Sequence, residues 1–336
     1  MTPKMVANQT EQMEPGTAFN AKKVADVIVV TYNSFPVIEA CINSILEADA
    51  RPIVVDNGSQ DGTVELIRKM YPAVKMLLNT TNLGYAGAIN AGYPLTQSRH
   101  VIISNADVVF PSGSLWRLCN YLDLHSEVGV VGPQLVFPDG SWQESYSSVP
   151  SLWEGCSRIV GLRSTHNWRR RLIWPKRVDR RPKAVGYVVG AAMAIRREAF
   201  EACHGWDETY RFYVEDLDFC ERVRRAHFEV HCLPDAAVVH VGGASSSRID
   251  NSGRFTKIWS DSVMTFIRRR HSEAVARLYA GIQVVHFQQL ALLCAVLEWF
   301  VPQDGRPKFK TRSQWFREAA GTWYCQLRSS SGKNAR

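Results

Sequence analysis

Residues 25–63, ADVIVVTYNSFPVIEACINSILEADARPIVVDNGSQDGT, decide the fold. ADVIVVT is a short β-branched run without polar alternation, the pattern of a strand covered on both faces. VIEACINSILEA follows with apolar residues at helical spacing, and RPIVVD repeats the strand before the polar turn NGSQDGT. The unit recurs downstream, where VELIRKMY reads as a helix, VKMLLN as a strand, GAINAGYPL as a helix and HVIISNADVVF as a strand. Strands alternating with helices predict an α/β fold with a mostly parallel, doubly wound sheet, whose ligands bind beyond the strand C-terminal ends. The polar clusters TYNS, DNGSQDGT and SNAD each stand at such an end.

The 336 residues are 46% hydrophobic, enough to bury one large core with an appendage. A net charge of +8 points to an acidic partner: nucleic acid, a phosphate-bearing substrate or an anionic membrane. Eight scattered cysteines show no CxxC pair and read as reduced thiols. Residues 1–23 are polar, lack the apolar core of a secretion signal and read as a flexible leader, so the chain is expected in the cytoplasm. From 138 to 183 the periodicity weakens and tryptophans mix with a dense basic run, which reads as an inserted lobe rather than sheet. Regularity returns with AVGYVVGAAMAIRREAF, an acidic stretch, and FEVHCL and AAVVHV as two strands. Past residue 247 the pattern is helical.

A pyrimidine presents an N–H between two carbonyls, so a carboxylate at a strand end can take the N–H while amide or hydroxyl donors take the oxygens. Asp56 suits the first role, Thr31 and Asn33 the second; turn chemistry and helix capping explain the same residues. Glycines 84, 87 and 92 in NLGYAGAINAG would let backbone approach a ribose or diphosphate, as they would any packed neighbour. Their spacing is not GxGxxG, which weighs against a dinucleotide-dependent oxidoreductase. Asp107 ends an apolar strand and could hold a hard divalent cation with His240, provided the fold brings the two together. In FYVEDLDFC, residues 212–220, Glu215, Asp216 and Asp218 would complement a helix dipole. A base accepting a proton from a sugar hydroxyl needs such a place, ionised yet shielded from water.

In order, VIVVTYNS, VVDNGSQDGT, NLGYAGAINAG, SNADV, GAAMAIRREAF, GWDETYRFYVEDLDFCERVRRA and LPDAAVVHVGGAS resemble glycosyltransferase family 2, inverting GT-A enzymes that use nucleotide sugars, in its rhamnosyltransferase-like branch. The resemblance implies a Rossmann-like GT-A domain over 24–247, with an acceptor-side insertion at 138–183. It implies a UDP- or dTDP-sugar held by Thr31, Asn33, Asp56, Asn57, Ser59, Asn82, Gly84, Asn90 and Asn105. Asp107 and His240 would hold Mg²⁺ or Mn²⁺, Asp216 would be the general base assisted by Glu215, and Gly190, Ala191, Trp206 and Asp207 would meet a glycan or lipid-diphosphate-linked acceptor. The sequence departs from the family where DxD becomes Asn105-Ala106-Asp107, and where Gly186 and Tyr187 replace a frequent Asp-Trp pair.

The stretch 278–297 has no Lys, Arg, Asp or Glu, but Gln283, His286, Gln288 and Gln289 interrupt it. It is expected to lie on a membrane interface or pack on the catalytic domain rather than span, making 248–336 a helical, membrane-associated region. IRRRH and RPKFKTR on either side, and the 168–183 basic run, suit anionic headgroups on the cytoplasmic face of the inner membrane. A nucleotidyltransferase of similar layout would need a basic triphosphate-gripping loop at TYNSFP, which is absent. A non-catalytic nucleic-acid or membrane binder is opposed by the acidic, polar sheet edge, and nucleic acid is not expected as a partner.

Overall fold

Side chains along a strand alternate between faces, so a strand buried on both sides has no place for polar alternation. The computed structural model describes residues 25–159, 181–210, 213–242, 254–301 and 306–329. The expected leader, most of the 168–183 basic run and the junction at 247 lie outside these residues. The elements are β1 (Asp26–Thr31), α1 (Ile38–Glu47), β2 (Arg51–Asp56), α2 (Thr63–Met70), β3 (Lys75–Leu78), α3 (Gly84–Gly92), β4 (His100–Asn105), β5 (Val108–Val109), α4 (Ser114–Leu124) and β6 (Val128–Val136). There follow β7 (Tyr146–Ser147), α5 (Leu152–Ile159), β8 (Lys183–Ala184), β9 (Tyr187–Val188), β10 (Ala192–Arg196), α6 (Arg197–Ala202), α7 (Glu215–Arg225) and β11 (Glu229–His240). Three helices end the described chain: α8 (Arg254–Arg270), α9 (Glu273–Phe300) and α10 (Arg306–Arg328).

The main sheet has the order β3-β2-β1-β4-β10-β6-β11-β5, with β8 also paired to β11. β3, β2, β1 and β4 are mutually parallel, β10 is antiparallel between β4 and β6, and β11 is parallel to β6. Val27, Val29, Val54 and Ile102 face one core with α1 and α4, while Ile28, Val55, Val101 and Ile103 face another with α3, α6 and α7. That two-sided burial is why these strands read as unbroken apolar runs. The parallel register sets Thr31 beside Asp56 and Val30 beside Asn105, so the polar ends of β1, β2 and β4 gather at one edge. All eight cysteines carry free thiols.

Three expectations change. FEVHCL and AAVVHV form one strand, β11, whose pairing with β6 shifts register between Leu233 and Val238 so that it bends without ending. The inserted lobe is partly sheet: β7 pairs with β9, and Trp142 bridges to Val136. In α9, Gln283 (1% exposed) and His286 (8%) point inward, so they do not hold the helix at a water interface; Gln288 and Gln289 are exposed. By length and composition alone α9 could cross a membrane, but about a third of its apolar window is buried within the protein.

A third apolar cluster fastens the C-terminal helices to the start of α7, joining Val214 and Leu217 to Phe266, Tyr279 and Trp323. Asp218 locks the same joint. Its buried carboxylate accepts from Arg222 Nε within α7 and from Arg270 Nη2 of α8, each at 2.7 Å. Removing one member of a buried ion pair leaves the other charge uncompensated, at about 3–5 kcal/mol. Asp218→Asn should therefore lower unfolding free energy by about 3 kcal/mol, read from urea denaturation.

Candidate active site

The polar edge at the ends of β1, β2 and β4 is built from loops cross-tied by short polar side chains. Asn33, left-handed at φ 52°, donates its backbone N–H to Ser59 Oγ (2.8 Å) and accepts from Gln60 N (2.8 Å) on its Oδ1. Asp56 Oδ1 accepts from Gly58 N and Ser59 N, and Oδ2 accepts from Ser59 Oγ at 2.5 Å. The turn chemistry foreseen for Asp56 is thus present, and Oδ2 retains a lone pair. Thr31 Oγ1 is buried without a hydrogen-bond partner, an unused hydroxyl at the end of β1. Asn57 donates to Gly84 O (3.0 Å) and accepts from Asn79 (2.9 Å), and Asn82 Oδ1 accepts from Gly84 N (2.9 Å). These bonds set the entry of α3.

Asp107 and His240, 133 positions apart in the chain, meet where β5 pairs with the end of β11. His240 Nδ1 lies 2.8 Å from Gln143 Oε1, and the Gln143 amide donates to His240 O at 2.5 Å. Gln143 therefore accepts the Nδ1 proton, turning the Nε2 lone pair toward Asp107 Oδ1 at 3.4 Å. Two acceptors facing each other repel unless a cation or a proton lies between them. An oxygen and a nitrogen ligand facing each other suit a divalent ion that takes its remaining ligands from elsewhere. No group of three or more His, Cys, Asp or Glu that could hold a metal occurs among the described residues.

The proposed base stands at the start of α7. Tyr213 before it is left-handed at φ 69°, uncommon for an aromatic residue, and Glu215 Oε2 accepts from Val214 N at 2.9 Å. Asp216 Oδ2 accepts from Gly190 N (2.9 Å) and Oδ1 from Leu217 N (2.7 Å). A Cβ at residue 190 would stand 3.2 Å from Asp216 Cβ, which favours glycine there. Tyr85 of α3 donates its hydroxyl to Gly190 O at 2.5 Å, and Ala191 O accepts from Asn105 N at 2.9 Å. Burial, then the Asp216 charge, pushes Glu215 up to about 7; burial raises Asp216 against its backbone donors. Burial and the charges of Glu215, Asp216 and Asp107 push the Tyr85 phenol far up, so it stays a donor.

Asp216 lines a cavity of about 50 Å³ with Tyr187, Tyr213, Glu154 of α5, Trp259 of α8 and Tyr279 of α9. Tyr187, from the pair that departs from the family pattern, is thus a wall residue. Two residues expected beside the acceptor are engaged elsewhere and do not line this cavity. Buried Trp206 stacks on Phe219 with centroids 4.9 Å apart, and Asp207 pairs with Arg269 at 2.5 Å. Asn90 ties α3 to the Trp206 backbone through both amide atoms, at 2.8 Å each. Sequence reading missed Tyr85, whose signal was an aromatic among the glycines of NLGYAG. It also missed Gln143, Glu154, Trp259 and Tyr279, which carry no local signal.

The family model of glycosyl transferase family 2 matches residues 26–203. The chain belongs to glycosyl transferase family 2. This transferase is 31% identical over 265 residues to the N-acetylglucosaminyl-diphospho-decaprenol L-rhamnosyltransferase of Mycobacterium tuberculosis, covering 74% of this chain and 85% of the relative. Its fold is similar to that of the mannosyltransferase PcManGT from Pyrobaculum calidifontis, solved with GDP-Man and Mn²⁺: TM-score 0.56, 19% identity, 89% of this chain and 86% of that one. It is also similar to GalNAc-T7, solved with UDP, GalNAc and Mn²⁺: TM-score 0.53, 14% identity, 88% of this chain and 56% of that one. The chain is a GT-A glycosyltransferase.

Two outcomes follow from the geometry. Tyr85→Phe keeps the ring but removes a hydrogen bond worth about 1 kcal/mol, so kcat for sugar transfer should fall about fivefold with donor KM nearly unchanged. A carboxyl raised on folding stabilises only while protonated: Glu215's contribution is whole below the ordinary carboxylate range and is lost as pH climbs through about 7. Glu215→Gln should accordingly raise Tm at pH about 8 and change it little at pH about 5, measured by calorimetry.

Proposed function

We propose that this glycosyltransferase moves a sugar, rhamnose or a hexose, from a UDP- or dTDP-sugar to a lipid-diphosphate-linked saccharide, with inversion, at the cytoplasmic face of the inner membrane in cell-surface polysaccharide synthesis. The reading draws its acceptor class from the rhamnosyltransferase relative. Its pyrimidine preference comes from the hydrogen-bonding pattern of Asp56 with Thr31 and Asn33. One observation carries the chemistry. The Gly190–Ala191 segment binds the end of β4 through Ala191 O and Asp216 through Gly190 N, so donor edge and proposed base share one wall.

Asp216 accepts the proton of the acceptor hydroxyl as that oxygen attacks the anomeric carbon from the face opposite the diphosphate. The new C–O bond forms while the bond to the diphosphate oxygen breaks, and nucleoside diphosphate leaves with the bonding pair. Glu215, held near its protonated state, can donate a hydrogen bond to the acceptor sugar. Asp107 and His240 would hold a divalent cation, which when bound neutralises charge developing on the leaving diphosphate. Gln143 fixes the His240 ring, and Tyr85 holds the Gly190 peptide against Asp216.

Purified protein supplied with UDP- and dTDP-sugars, with and without a lipid-linked saccharide, should release nucleoside diphosphate in an acceptor-dependent way. Asp216→Asn should lose transfer by about a hundred- to ten-thousand-fold while donor affinity by calorimetry is unchanged. Near-normal turnover in that variant would remove Asp216 from the chemistry.

A further inference from the structure

The two long C-terminal helices lie antiparallel, and the last turns of α9 are partly exposed. Arg306 Nε reaches Val301 O at 3.4 Å, the Arg312 charge acts on the Cys294 thiol, and Ser313 Oγ donates to Ala291 O at 2.9 Å. α10 therefore runs back along the last turns of α9. The first half of α9 is committed to the protein through Tyr279, Gln283 and His286. The last half exposes Leu292 (67%), Leu293 (52%), Trp299 (84%) and Phe300 (81%). Arg306, Lys310 and Arg312, all exposed, stand on α10 at the level of these turns, while the described acid nearby, Glu298, is half-buried.

Contiguous exposed aromatics and leucines mark an interaction surface. We propose that the α9–α10 tip docks on an anionic lipid bilayer, with Leu292, Leu293, Trp299 and Phe300 entering the acyl boundary and Arg306, Lys310 and Arg312 meeting lipid phosphates. Charge selects this occupant. A second copy of a chain with net charge +8 would bring a like-charged rim to the same tip, whereas an anionic bilayer satisfies both the apolar centre and the cations. Length selects docking over crossing. The outer part of α9, residues 288–300, which carries the exposed side chains, is about 20 Å long at 1.5 Å per residue, short of a hydrocarbon core of about 30 Å. The inference deepens the lipid-linked acceptor reading, because the helix that docks also supplies Tyr279 to the cavity beside Asp216.

The test is sedimentation of the full chain with phosphatidylcholine vesicles, with and without phosphatidylglycerol, in the absence of donor and acceptor. Its failure would leave the transfer reading standing. Wild type should bind the anionic vesicles, and Leu292→Ser with Trp299→Ser and Phe300→Ser should weaken binding at least about tenfold. Arg306→Gln with Lys310→Gln, which leaves the apolar face intact, should weaken binding to anionic vesicles and remove the preference over neutral ones. Unchanged melting by circular dichroism shows that each variant is folded. Equal vesicle binding by wild type and the triple variant, no binding by wild type, or a wild-type dimer that the triple variant loses in size-exclusion chromatography would each overturn the proposal.

Discussion

The peptide of Gly190 is held from both sides: its carbonyl by the Tyr85 hydroxyl and its N–H by the Asp216 carboxylate. Tyr85 belongs to the parallel half of the molecule, on α3, whereas Asp216 opens a helix more than a hundred residues later. Without a fixed peptide between them, the polar strand ends and the acidic helix would be two separate features on one sheet. The close approach that permits this leaves little room for a side chain at position 190. A buried hydroxyl and a half-buried carboxylate also oppose slippage, because each would lose a partner it could replace only with water.

The three acids of the EDLD segment divide their work by environment. Asp218 meets two guanidinium groups and joins α7 to α8, a structural use. Among the described residues Asp216 and Glu215 pair with no such cation, only with backbone donors, and both are pushed toward their neutral forms. Helix-dipole complementarity explains why acids are tolerated in this turn. It does not explain a pair that has no countercharge among the described residues and stands beside an aromatic-walled cavity, a condition that suits a proton acceptor.

The parallel half of the fold was legible because double-sided burial writes itself as unbroken apolar runs, as in VIVV, PIVV and VIIS. β11 misled because its bulge around Pro234 looks, in one dimension, like the end of one strand and the start of another. In the site, residues at strand ends were legible through their polar clusters, and the meeting of Asp107 with His240 follows from β5 pairing with β11. Gln143 was not legible, since it reaches His240 across 97 positions and no local pattern records that contact. The inward rotation of Gln283 and His286 was hidden for a related reason. Composition counts polar residues in a helix, but only packing decides which side they face.

Why should Asp216, the proposed base, sit on a helix N-terminus and still be raised? The terminal N–H groups favour the carboxylate, and burial disfavours it more. Were the dipole to win, the carboxylate would be a weak proton acceptor; were burial unopposed, it would be protonated and idle. Burial, with the Asp216 charge second, pushes Glu215 up to about 7. The two adjacent carboxyls are thus both shifted toward their neutral forms. Trp259 and Tyr279 wall the cavity that Asp216 lines, so the C-terminal helices help to build the candidate site as well as the scaffold.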